Sequence, residues 1–65
     1  MPFIKVETNK ISQEQKEELI AGITKCASKA IGLPEQVFYV VVQENSDDNW
    51  GVGGKSLTQI KNNKA

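Results

Sequence analysis

Histidine and arginine are both absent from this sequence, and cysteine occurs once, at position 26. The lone Cys26 excludes an internal disulfide, and without histidine a structural zinc site lacks its usual ligands. Eight lysines balance eight acidic residues with no clustered basic run, so the electrostatic footprint of a nucleic-acid binder is missing. The longest apolar run is the six residues Val37 to Val42, far short of the roughly 20 needed to span a bilayer. The N-terminus also lacks the basic-then-apolar layout of a signal peptide. Nucleic-acid and membrane partners are therefore not expected, and a soluble cytoplasmic protein is.

What remains is a chain of 65 residues, read as one domain over 1–65. A chain of this size buries only about 60% of the surface that its unfolded form exposes, which leaves it marginal by itself. With disulfide and zinc staples excluded, self-association is the route left to stability.

Hydrophobic periodicity gives the element order. Pro2 to about Thr8 reads as a strand, with Ile4 and Val6 on one face and Phe3, Lys5 and Glu7 on the other. Ser12 followed by Gln15 has the spacing of a capping box, in which each residue's side chain satisfies the other's backbone N–H. A helix of about five turns is predicted over Gln13–Ile31, with Leu19, Ile20, Ile23, Ala27, Ala30 and Ile31 recurring at three- and four-residue steps. Gly32 and Pro34 stop it. Cys26, seven residues after Leu19, falls on the same stripe and reads as a small core residue.

Val37 to Val42 lacks alternation, so it reads as a second strand buried on both faces. Strand, helix and strand make a βαβ unit with parallel strands. A solvated loop over Asn45–Asn49 follows, then a tight turn or small hairpin at Gly51–Gly54, and a frayed end from Lys61. Asp47 and Asp48 lack further spaced ligands, so no metal is expected. The fold class is α/β: a single βαβ unit with a short C-terminal hairpin, completed by oligomerisation.

That last element follows from a mismatch. One helix covers one face of a two-stranded sheet, yet both faces of the second strand are apolar. Leaving the uncovered set in water forgoes on the order of 5–10 kcal/mol, at roughly 1.5–3 per large apolar side chain, comparable to the whole stability of a small domain. A homo-oligomer is predicted, with Pro2 near a subunit boundary.

Pro2 bears on chemistry. Inside a chain its nitrogen is a non-basic amide, but removal of Met1 would leave a free secondary amine at a strand end. The reference value for a terminal amine is about 7.7–8.0, and proline's is more basic. A base at neutral pH therefore needs apolar walls that disfavour the ammonium form, which Phe3, Trp50 and Val41 are candidates to supply.

Met1-Pro2-Phe3-Ile4, the helix opening Ser12-Gln13-Glu14-Gln15-Lys16, Pro34 before an apolar strand, and Asn49-Trp50-Gly51-Val52-Gly53-Gly54 together resemble the 4-oxalocrotonate tautomerase family. The resemblance runs from Pro2 to about Leu57. It implies short βαβ subunits assembled as a hexamer, a trimer of dimers. It also implies a cofactor-independent isomerase acting on a small 2-hydroxydienoate or 2-keto acid, with Pro2 as the general base of a keto–enol transfer.

The resemblance places Trp50 where the family has an aromatic pocket residue, and Phe3 beside it. Tyr39 stands where the family's dicarboxylate enzymes carry a strand arginine, and Lys10 or Ile11 falls at the loop arginine. Tyr39 offers one hydrogen bond to a developing oxyanion and Lys10 a point charge, neither of which reproduces a bidentate fork. Two rival expectations use the same scaffold: a non-catalytic assembly or binding module, and a hydratase or dehalogenase employing the same amine.

Overall fold

The computed structural model describes residues 1–62. Strand β1 (Phe3–Thr8) lies parallel to β2 (Tyr39–Glu44), in register from Phe3 against Tyr39 to Thr8 against Glu44. The crossover between them is α1, Gln13–Ile31.

Both ends of α1 are fixed by the residues that mark them in the sequence. Ser12 Oγ accepts from the Gln15 N–H at 3.1 Å while the Ser12 N–H donates to Gln15 Oε1 at 2.9 Å. At the other end Gly32 adopts φ 82°, and its N–H reaches the Ser28 carbonyl at 2.9 Å. A side chain at that left-handed position would be strained, which is why glycine ends the helix there.

The second strand begins two residues later than the apolar run suggests. Glu35–Val37 form a single 3₁₀ turn, in which the N–H groups of Val37 and Phe38 donate to the carbonyls of Pro34 and Glu35. With those donors occupied, the ladder starts where the Tyr39 N–H meets the Pro2 carbonyl at 3.1 Å. Hydrophobicity marked the right segment, but backbone bonding set its limits.

Ile4, Val6, Val40 and Val42 are half-buried on the α1 side, whereas Phe3, Tyr39 and Val41 lie on an open face, 64%, 53% and 44% exposed. The expectation of a strand buried on both faces is thus not met within one chain. No described residue is fully buried. The chain is a thin slab, 47 × 23 × 15 Å with a radius of gyration of 15.5 Å, where a compact domain of this length would have about 11 Å.

On α1, Leu19, Ile23 and Ala27 are half-buried, but Ile20, Ala30, Ile31 and Cys26 are exposed. Cys26 is therefore not a core residue here. The stripe drifts by about 20° per seven residues, and Cys26 lies with Leu19, Gly22 and Ile23 along an open groove on the helix.

Gly51–Val52 (β3) and Lys55–Ser56 (β4) form the expected hairpin. Gly53 and Gly54 between them have φ of 61° and 87°, the positive pair that a two-residue I′ turn requires. The segment Asn45–Asn49 is more ordered than a solvated loop: Asp47–Asn49 make a 3₁₀ turn, with Ser46 Oγ accepting from the Asp48 N–H at 3.2 Å.

A second helix, α2 (Leu57–Asn62), follows the hairpin. Its start repeats the first capping box: the Gln59 N–H donates to Ser56 Oγ at 3.1 Å, and the Ser56 N–H to Gln59 Oε1 at 2.9 Å. Lys61, expected to fray, is helical and bonds Asp47 at 2.7 Å; the remainder of that expectation lies outside the described residues. Among the described residues no helix is long and apolar enough to cross a membrane.

Candidate active site

Pro2 sits half-buried at the entrance to β1, held by the Tyr39 N–H on its carbonyl. Phe3 and Tyr39 are register partners on the open face, which makes them an aromatic cross-strand pair directly beside the proline. Parallel pairing produces this grouping, because residues 2 and 39 both stand at the N-terminal ends of their strands. Met1, ahead of them, is 83% exposed.

Trp50 and Lys10 lie elsewhere. Trp50 follows the C-terminal end of β2, where its Nε1–H donates to the Asn45 carbonyl at 3.0 Å and its own carbonyl accepts from the Leu57 N–H at 3.0 Å. Glu7, Thr8, Asn9 and Leu57 complete the hollow beside it. Lys10 follows the C-terminal end of β1, on the rim of an open cleft of about 500 Å³ shared with Asn9, Glu44, Ser46, Asp47 and Lys61. Six ladder rungs at about 3.3 Å each separate this end from Pro2, so Trp50 and Lys10 stand roughly 20 Å from Pro2 in their own chain. Within one chain the structure brings together Pro2, Phe3 and Tyr39, and does not bring Trp50 or Lys10 to them.

Two carboxylates that sequence reading did not single out for the site organise the far end. Glu44 Oε2 accepts from the Ile11 N–H at 2.9 Å, and its Oε1 lies 3.2 Å from Lys16 Nζ. The Ile11 N–H first, and Lys16 second, hold this carboxyl below its ordinary value of 4.5. Asp47 is held below its ordinary 3.8 chiefly by Lys61 at 2.7 Å, with Asn9 Nδ2 on its other oxygen at 3.4 Å. Asp48 accepts from the Thr58 hydroxyl. These bonds tie the loop after β1 and the helix α2 to the end of β2. They also commit Lys16 and Lys61 to carboxylates, whereas Lys10 makes no ion pair among the described residues. A capping-type S-x-x-Q could have revealed α2, but the Glu44–Ile11 contact joins residues 33 apart and leaves no local signal.

The arrangement therefore consists of a strand-end proline with an aromatic pair at one end, and an aromatic and an unpaired cation at the other, on a βαβ unit with one open face. Residues 2–60 match the family model described as tautomerase enzyme, a match that begins at Pro2 itself. The chain belongs to this family. Probable tautomerase K2 of Dickeya dadantii is 38% identical over 61 residues, spanning 91% of each chain. Among solved structures, TomN, a 4-oxalocrotonate tautomerase homologue in the tomaymycin biosynthetic pathway, superposes with a TM-score of 0.94 at 26% identity, covering 98% of this chain and 100% of that one. A heterohexameric 4-oxalocrotonate tautomerase from Chloroflexus aurantiacus gives 0.88 at 28% identity, covering 92% and 98%. The resemblance and the α/β fold expected from the sequence are both borne out.

Proposed function

We infer that this chain is a cofactor-independent tautomerase in which the amine of Pro2, freed by removal of Met1, moves a proton between oxygen and carbon of a small 2-hydroxydienoate or 2-keto acid. The observation that carries this reading is the seating of Pro2: half-buried, fixed through its carbonyl at the first rung of the ladder, and flanked by the Phe3–Tyr39 pair. A base fixed at a strand end is positioned for both proton transfers, and covering Phe3 and Tyr39 in an assembly would supply the apolar surroundings that disfavour its charged form.

In this reading Tyr39 O–H and backbone N–H groups stabilise the developing oxyanion. Phe3 and Trp50 keep water out, and Lys10 attracts a substrate carboxylate as a point charge. Because Trp50 and Lys10 lie roughly 20 Å from Pro2 in the same chain, a second copy supplies them, and the active form is a homo-oligomer, taken as a trimer of dimers. The open face and the lack of any fully buried residue among those described support that assembly.

The test has two parts. Intact mass of protein from its native host is expected to lack Met1, and Pro2→Ala is expected to lower kcat/KM for an enol substrate by about 10²–10⁴-fold, the usual worth of a general base. Retention of Met1, or full activity in Pro2→Ala, contradicts the reading.

A further inference from the structure

The charges left unpaired among the described residues limit what the site can accept. At the Pro2 end the open face presents Phe3, Tyr39 and Val41, two apolar side chains and a phenol. Pro2 must itself be unprotonated to act as a base, so it adds no cation when a substrate arrives. Lys5 is the next cation along β1, but Glu7 follows it on the same face, about 7 Å further on at 3.3 Å per residue, and is held there by the Asn45 amide at 3.0 Å. That spacing lies within a Debye length at physiological salt, so the two charges compensate each other.

The far end, which a second copy brings to Pro2 in the tautomerase reading, has a small surplus. Its cleft sets Lys10 and Lys61 against Glu44 and Asp47. Lys16 and Lys61 are committed to those two carboxylates, at 3.2 and 2.7 Å. Asp48 is taken up by the Thr58 hydroxyl and does not line the cleft. One positive charge, that of Lys10, is left over among the described residues. Lys25 and Lys29 lie on α1, behind the sheet, and Lys55 stands at the tip of the hairpin.

We propose that the substrate carries a single carboxylate, taken by Lys10, and an uncharged apolar or aryl tail that lies on Phe3 and Tyr39. This deepens the tautomerase reading and rests on it for bringing Lys10 to Pro2. A second carboxylate has two places to go, and neither receives it. Beside Pro2 it would lose its hydration against an aromatic pair that offers one hydroxyl and no cation. Beside Lys10 it would face Glu44 and Asp47. A lysine ammonium is a compact point charge and neutralises one carboxylate, without the fork that could hold two. An apolar tail gains where the second charge loses, because covering the exposed rings of Phe3 and Tyr39 removes apolar surface from water on both partners. The same tail dries the surroundings of the amine and so favours its uncharged form.

The test compares hexanoate with adipate, two stable six-carbon acids that differ only in a second carboxylate, by NMR titration of the assembled protein. Hexanoate is expected to bind at least tenfold tighter. Lys10→Gln is expected to weaken hexanoate by roughly tenfold, and Lys5→Gln to leave it unchanged. Tyr39→Arg sets a guanidinium beside Pro2 and is expected to turn the preference towards adipate. Adipate binding as tightly as hexanoate or tighter, no saturable binding of either acid, or an effect of Lys5→Gln as large as that of Lys10→Gln would overturn the assignment. Binding is read without turnover, so the two readings fail separately. A protein that prefers hexanoate but turns over no enol supports the single-carboxylate site and contradicts the tautomerase; one that turns over enols but prefers adipate does the reverse.

Discussion

Pro2 and Trp50 occupy opposite ends of one two-stranded sheet: Pro2 accepts the first rung from Tyr39, and Trp50 bonds through its indole to Asn45, the residue that donates the last rung to Thr8. A parallel βαβ unit cannot bring its own N-terminus to the segment following its second strand. Any site that uses both residues is shared between copies, and the chain's chemistry is then inseparable from its assembly.

Tyr39→Phe removes one hydroxyl and leaves the aromatic pair with Phe3 in place. If that hydroxyl stabilises the oxyanion, kcat is expected to fall by about 10²-fold or more, with KM nearly unchanged. Steady-state kinetics check this, and a change in KM alone would reassign Tyr39 to ground-state binding.

Glu44 makes stability depend on acid. Its folded-state carboxyl is held below the ordinary 4.5 by the Ile11 N–H and then by Lys16. A depressed carboxylate stabilises the fold fully above its unfolded value, and that contribution is lost as pH falls through the lower folded value. Melting temperatures are expected to be level above about pH 5 and to drop below 4.5. Glu44→Gln should melt lower at neutral pH and fall less steeply in acid. Asp47 adds a parallel loss below its ordinary 3.8, through Lys61 and Asn9.

Gly54 has φ 87°, and a Cβ built there would meet nothing within 4 Å. Gly54→Ala therefore isolates the backbone term, and a loss of about 1–2 kcal/mol is expected. Urea unfolding measures it. A neutral result would mean that the hairpin can flip to another turn.

Much of the fold was legible in the sequence for local reasons. Ser12 with Gln15, and Gly32 before Pro34, bound α1 at the residues predicted, because caps are read from neighbours in the chain. The same logic applied to Ser56 and Gln59 would have found α2. The apolar run begins ahead of β2 itself, because Val37 and Phe38 spend their N–H groups on a turn. Cys26 reads as core from the stripe but is exposed, because the sheet covers a narrower arc of α1 than the apolar stripe occupies. Proximity of Pro2 to Phe3 follows from sequence, and proximity to Tyr39 from the parallel pairing. The Glu44–Ile11 bond was hidden, since nothing local links two residues 33 apart.

The shared site is tested most directly by subunit mixing. Pro2→Ala and Trp50→Ala chains, each nearly inactive alone, are unfolded together, refolded and assayed. In mixed assemblies one site takes Pro2 from one chain and Trp50 from the other, so about a quarter of unaltered activity is expected for random pairing about a two-fold axis. Activity no greater than that of the two variants assayed separately would contradict a site built between copies.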